Sequence, residues 1–206
     1  MNDRNLDFDE GYIKFDLTWR KQPLSIRVPT ELMAWRDRFY ELKQIGYYAD
    51  LGIGYGNISI KTTAGILISG TQTGNIYPIG KEHFTLVTEY DLRQNRVKCL
   101  GPIKASSESM THSAVYDADS EIKAIVHGHN LALWRILKGK VPTTAEDVPY
   151  GTPAMAEEII RLFTKTKVKE EKIIIMAGHE EGIITFGKDL TEAGNVLLNF
   201  LQYVAE

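Results

Sequence analysis

Three of the five histidines stand where apolar runs give way to polar residues: His127 and His129 in AIVHGHN, and His179 in MAGHEEG. Successive side chains of a strand alternate between faces, so His127 and His129 share one face and can grip a single ion, or simply hydrogen-bond to each other. His179 falls in a tight connection between two apolar runs, a position that can bring a third imidazole beside the pair. Three neutral imidazoles suit zinc and leave a fourth tetrahedral position open, the arrangement of a catalytic rather than a structural site.

Glu108, in KASSESMTHSAVY, admits two readings. As an acid in the first turn of a helix it is favoured by the macrodipole, which is worth under about 1 kcal/mol. Beside a metal-bound carbonyl it would instead shuttle protons, kept ionised by the nearby cation. His112, four residues later on the same helical face, reads as a core or supporting residue, and His83, amid charges in GKEHF, as a surface histidine. HEEG at 179–182 also suggests a zincin, but that motif needs a second histidine where Ile183 stands.

Three polar segments suit an oxyanion. YGNIS at 55–59, SGTQTG at 69–74 and the pair Ser106 and Ser107 offer backbone N–H groups, hydroxyls and a helix N-terminus, which together hold a phosphate without arginines. Singly each is only a turn. GIGYG at 52–56 lacks G-x-G-x-x-G spacing and follows a helix, so it is no dinucleotide fingerprint.

The elements that position these residues follow from periodicity. Ile13, Phe15, Leu17 and Trp19 alternate with polar residues as in a strand buried on one face, ending before Pro23. Thr30 is the expected cap of a helix carrying Leu32, Trp35, Phe39 and Leu42, with Gly46 as its stop. Strands are expected at 57–61 and 66–69, around a turn at 63–65. A helix is expected from 106 to 116 with Ser106 or Ser107 as its cap, then a strand at 122–129 and a helix at 131–137. Thr152 and Pro153 open a further helix. Strands at 173–177 and 182–186 precede a last helix with an Asp189/Glu192 capping box. Strands around interleaved helices predict a mixed sheet with helices packed on it, α/β or α+β. Without repeats or a Pro/Gly/Ser linker, residues 1–206 read as one domain with 1–29 as an N-terminal extension.

Composition narrows the function. With 43% hydrophobic residues, 25% charged and a net charge of −3, the chain can bury a core but has no basic excess to draw it onto nucleic acid or an acidic membrane. The single cysteine, Cys99, excludes a disulfide framework and a cysteine-rich metal site, so a reducing cytoplasm is expected. The acidic start NDRNLDFDEG carries no signal core, and no stretch approaches the roughly 20 apolar residues of a membrane span.

Taken in order, GNIS, a TG loop, SSE-x-x-x-H-x-x-x-Y, H-x-H and a third histidine before GIITFG resemble the class II aldolase/adducin family from about Thr30 onward. The resemblance implies a central, mostly antiparallel sheet covered by helices, a zinc ion on His127, His129 and His179, and Glu108 as acid/base. It further implies phosphate contacts from Asn57, Thr73, Gly74, Ser106 and Ser107, with Thr71 as an alternative to Thr73, and a homotetramer with active sites between subunits. The implied activity is a zinc-dependent lyase performing retro-aldol cleavage of a ketose phosphate such as a fuculose-phosphate-like sugar. The alternatives are a sugar-phosphate 4-epimerase, whose motif carries aspartate where Glu108 stands, and a non-catalytic adducin-like domain, which generally lacks the ligands. Departures are Gly54 where threonine is usual, HGHN in place of H-T-H-P, AGHEEG in place of N-H-G, and an end at Glu206 ahead of the tail tyrosine of the aldolases and epimerases. Asp147, in TAEDVPYGT, reads from its Pro-flanked loop as a solvated acid; the resemblance aligns it with a catalytic aspartate of the epimerases, a role in which it would protonate the departing oxygen across the subunit interface.

Overall fold

The computed structural model describes residues 11–205; the acidic start at 2–10 lies outside them. In chain order the elements are β1 (Asp16–Lys21), α1 (Thr30–Glu41), β2 (Gly46–Tyr48), β3 (Ile53–Tyr55), β4 (Asn57–Thr62), β5 (Gly65–Ser69), β6 (Phe84–Asp91) and β7 (Arg96–Gly101). There follow α2 (Ser109–Ala118), β8 (Ala124–His129), α3 (Leu131–Leu137), α4 (Pro153–Lys165), α5 (Val168–Glu171), β9 (Ile173–Ile175), β10 (Gly182–Gly187) and α6 (Leu190–Ala205). Eight strands form one sheet in the order β1-β7-β6-β5-β4-β8-β10-β9, while β2 and β3 form a separate hairpin. Every pairing in the large sheet is antiparallel except β1 with β7, so the expected mixed, mostly antiparallel sheet is what the chain forms.

Each face of the sheet is covered by helices. Ile125, Ile174, Ile184 and Phe186 pack with Met110 and Val115 of α2 and Met155, Ile159 and Leu162 of α4. Ala124, Val126, Ile175 and Ile183 pack on the other side with Leu32 and Phe39 of α1, Leu133 of α3 and Leu197 of α6. Strand alternation therefore sends His127 and His129, in phase with Ile125, to the α2/α4 face. Gly128 lies on the opposite face, where an added Cβ would meet Leu197 and Gln44 at 3.3 Å. No helix among the described residues is long and apolar enough to cross a membrane.

Three local expectations are corrected. Pro29, not Thr30, stands at the cap of α1: its φ of −61° and ψ of 137° already supply the extended entry, and Thr30 begins the helix. Nor does Gly46 stop α1, which ends at Glu41; Lys43 takes a positive φ of 57°, and Gln44 and Ile45 donate back to the Phe39 carbonyl, which turns the chain out early. The capping box of α6 is half made, because Asp189 accepts from the Glu192 amide at 2.7 Å but the Glu192 carboxylate accepts from Lys188 and Lys172.

Candidate metal centre and polar depression

The ligand atoms of His127, His129 and His179 lie within 4.8 Å of one another, and all three residues are buried. Two come from the end of β8, where His127 faces Ile184 and His129 faces Gly182 across the ladder with β10. The third rides the β9–β10 connection, which is closed by hydrogen bonds from His179 N to the Met176 carbonyl (3.1 Å) and from Gly182 N to the His179 carbonyl (2.9 Å). That connection passes through Glu181 at a φ of +68°, the left-handed region that a non-glycine residue occupies at a cost.

Glu108 faces this cluster. It occupies the cap position of α2 rather than the first turn, since the helix starts at Ser109. Ser106 does help to cap: its Oγ accepts from the Glu108 amide at 3.2 Å, and its carbonyl accepts from Ser109 N at 3.0 Å. The Glu108 carboxylate is 2% exposed, with His179 Nδ1 3.1 Å and His127 Nε2 3.8 Å from Oε1. Burial alone would raise its pKa, but His179 and His127 outweigh that and hold it at about 2, so it is ionised at neutral pH. Burial pushes His129 well below the usual imidazole value, leaving it neutral, the form that binds a metal.

Three converging imidazoles and a buried carboxylate without a well-aligned hydrogen bond to either oxygen fit a divalent cation. His112 is not in this group. It is buried beside Ser59, with Nδ1 2.7 Å from the serine hydroxyl, and burial brings its pKa down to about 3, so it works as a neutral core residue. His83 lies half-exposed, accepting from the Gly80 amide.

Groups without a motif surround the histidines. The Tyr48 hydroxyl, on β2, donates to Glu181 Oε2 at 2.5 Å and lies 3.1 Å from His129 Nδ1, while Tyr55 of β3 stacks on the His129 ring. Tyr150 packs on His179 with ring centroids 4.6 Å apart, and Lys14 Nζ lies 3.9 Å from the Tyr150 ring centroid. The N-terminal extension therefore reaches the site. A hydrophobicity pattern does not disclose these contacts; the departure of AGHEEG from N-H-G marks the turn, but there Glu180, not Glu181, takes the place of the usual glycine.

The second half of the site is a small polar depression. Asn57, Thr73, Gly74, Ser106 and Ser107 line it, together with Thr71 and Gly54 among others. It abuts the metal centre, because Asn57 pairs with His127 across β4 and β8, and Ser106 and Ser107 lead directly into Glu108. Asn57 is buried and its side-chain oxygen lacks a hydrogen-bond partner, and the Thr73 hydroxyl donates to the Gly70 carbonyl. Gly74 admits no side chain: a Cβ there would lie 1.9 Å from the Gly46 carbonyl oxygen. Asp147 is exposed, on a loop whose backbone at Glu146 and Val148 presses on Gly178, next to His179.

Comparison with known proteins agrees with this geometry. Residues 47–206 match the family described as Class II Aldolase and Adducin N-terminal domain. An L-fuculose phosphate aldolase of Methanococcus maripaludis is 32% identical over 154 residues, 67% of this chain and 76% of the relative. A 3-oxo-tetronate 4-phosphate decarboxylase of Haemophilus influenzae is 27% identical over 162 residues, 69% of this chain and 71% of the relative. Among solved structures, the L-fuculose-1-phosphate aldolase of Thermus thermophilus superimposes with a TM-score of 0.61 at 19% identity, covering 85% of this chain and 90% of that one, which shows a shared fold.

Proposed function

The chain belongs to the class II aldolase and adducin N-terminal domain family, and from that premise we propose that it is a zinc-dependent lyase cleaving a carbon–carbon bond in a phosphorylated ketose. The observation that carries the reading is the buried, ionised Glu108 placed between three converging imidazoles and a polar depression one strand away. A zinc ion held by His127, His129 and His179, or another first-row divalent ion, supplies Lewis acidity toward a substrate carbonyl and its neighbouring hydroxyl. Asn57, Thr73, Gly74, Ser106 and Ser107 hold the phosphate, and Thr71 stands beside them. With the phosphate fixed, the substrate's reacting carbons lie beside Glu108, whose carboxylate takes and returns the proton at the carbon next to the carbonyl. That carboxylate is 2% exposed, so little water competes for the proton it handles.

Decarboxylation of a phosphorylated 3-oxo acid is a second reading, favoured by the Haemophilus relative. It demands the same electron sink and the same phosphate hold, and differs in releasing carbon dioxide rather than an aldehyde. Glutamate at 108 argues against the 4-epimerase, and retention of all three histidines argues against a non-catalytic adducin-like domain. The same reading makes the protein a cytoplasmic homotetramer with sites between subunits, which sedimentation as a stable monomer would contradict. Zinc-loaded protein should be offered ketose phosphates and phosphorylated 3-oxo acids in separate reactions, with dihydroxyacetone phosphate, aldehyde and carbon dioxide all measured. Dihydroxyacetone phosphate together with an aldehyde from a ketose phosphate is the expected outcome; carbon dioxide from a 3-oxo acid, which leaves a phosphorylated ketone behind (dihydroxyacetone phosphate itself from the four-carbon acid), selects the decarboxylase, and neither reaction with any compound overturns the lyase.

A further inference from the structure

We propose that Arg36, buried behind the loop at 73–76, supplies the countercharge of the phosphate depression and orients the backbone that forms it. This deepens the reading of the depression given above and rests on it. The described residues lining the depression include no lysine or arginine; they are glycines, threonines, serines, Asn57 and Gln72. A phosphate monoester brings about −1.5 to −2 charges at neutral pH. Amide dipoles and hydroxyls offset part of that, and a whole positive charge set behind them offsets far more in a poorly solvated pocket.

Arg36 is placed to do this. It lies on α1, is 1% exposed, and directs its guanidinium at one loop: Nη2 donates to the Thr73 carbonyl at 2.6 Å and the Gly74 carbonyl at 3.4 Å, and Nη1 donates to the Ile76 carbonyl. A buried guanidinium is ordinarily neutralised by a carboxylate that faces it. Here Asp37 meets only Nη1, at 3.2 Å, and the same carboxylate oxygen also accepts from the Ile79 amide. Most of the fork is spent on carbonyl oxygens, which leaves the charge available to an anion nearby.

Peptide geometry does the orienting. In a trans peptide the N–H points opposite to the C=O, so drawing the Thr73 and Gly74 carbonyls back onto Arg36 turns the Gly74 and Asn75 amides away from it. Gly74 N lies against Gly54, itself part of the depression, at 3.0 Å from where a Gly54 Cβ would be. No described residue accepts a hydrogen bond from either amide. Arg36 is thus a positioning residue: it never touches the phosphate, yet it fixes two donors and adds the charge.

The test is calorimetric titration of inorganic phosphate into the full chain and into Arg36→Gln, Arg36→Lys and Arg38→Gln, with zinc affinity measured on each. Arg38 is an exposed residue on the same helix and controls for net charge. Arg36→Gln should weaken phosphate binding roughly ten- to hundredfold, the scale of losing one full positive charge held behind the site in partly screened surroundings. Arg36→Lys, which keeps the charge but not the fork, should recover part of the loss. Arg38→Gln should match wild type, and zinc affinity should be the same in all. A folded Arg36→Gln protein with wild-type phosphate affinity overturns the proposal. So does an equal loss of zinc affinity, which would mean a general loosening of the fold. Should Arg36→Gln not fold, nuclear magnetic resonance of the wild type decides: phosphate must shift the Arg36 Nε–H and the Gly74 and Asn75 amides, and shifts confined to Ser106 and Ser107 overturn the role of Arg36. A wild-type chain that binds no phosphate overturns the depression itself, whereas binding that survives in Arg36→Gln overturns Arg36 alone.

Discussion

The two ends of the site are built by opposite means. At the metal end the chemistry sits in side chains, and the sheet supplies their geometry: β8 fixes the spacing of His127 and His129, and its ladder with β10 brings the His179 turn alongside. At the polar end the chemistry sits in the backbone and in small hydroxyls, and the geometry is imposed from behind by Arg36 and by the close approach of Gly74 to Gly46. A side-chain site on a rigid ladder fails when a letter changes. A backbone site fails when its support changes, even though no lining residue has been touched.

The double substitution His127→Ala, His129→Ala is the sharpest way to break the first half of that comparison. Removing two of three imidazoles from a closed cluster should take the metal content from about one ion per chain to nearly none, because a single histidine and a carboxylate do not define a tetrahedral site. Elemental analysis after dialysis checks this, and full occupancy in the double mutant would mean that the metal sits elsewhere. Glu108→Gln comes next. The amide keeps the shape and the buried fit while removing the proton acceptor, so turnover on an identified substrate should fall by about 10²–10⁴ with metal content unchanged. Wild-type turnover would reduce Glu108 to a helix-start acid.

The same contrast explains what could be read from the sequence. H-x-H on an apolar run, followed by a third histidine between two apolar runs, is a pattern of letters, and the structure assembles it as the strand period predicts. Asn57, Ser106 and Ser107 are legible through motifs rather than periodicity, and they converge because β4 pairs with β5 and Gly70, just past β5, bridges to Ala105. The β6–β7 hairpin is not marked in the sequence although Val97 and Cys99 alternate inward. Its turn is made by Asn95 at a φ of +53°, without the Asn-Gly or Asp-Gly pair that marks a hairpin. Arg36 looked like any helical arginine, since only a tertiary contact nearly 40 residues along the chain reveals its target. Tyr48 escaped for the same reason: nothing in IGYYAD distinguishes the tyrosine that meets His129 from the exposed Tyr47 beside it.

Tyr48→Phe sharpens the comparison by asking whether the metal end also depends on support from behind. The His129 ring has Nδ1 against the Tyr48 hydroxyl, which passes its own proton to Glu181, so the imidazole is held with Nε2 turned toward His127. Losing such a partner typically costs about 10- to 100-fold in metal affinity. Zinc competition with a chelator should show that loss, with Glu181→Gln falling between Tyr48→Phe and wild type. An unchanged affinity would mean that the β8–β10 ladder alone orients His129.

Asp147 carries the smallest expected effect and tests whether either end is complete within one subunit. Its own subunit leaves it exposed, on a loop that lies against the His179 turn through the Glu146 and Val148 backbone and the Tyr150 ring rather than through Asp147. If it protonates the departing oxygen in a neighbour's site, water already competes for the task, and Asp147→Asn should lower turnover by less than about 10², below the Glu108 effect. Hybrid oligomers separate this from a purely local role. Glu108→Gln subunits are inactive in their own sites but carry an intact Asp147, so adding them to Asp147→Asn subunits should raise the activity per Asp147→Asn subunit. Metal content and oligomeric state must stay constant through the mixing. No rise in verified hybrids would place Asp147 outside the neighbour's site, and full activity of Asp147→Asn alone would leave it a solvated loop acid, with proton delivery to the departing oxygen left to water.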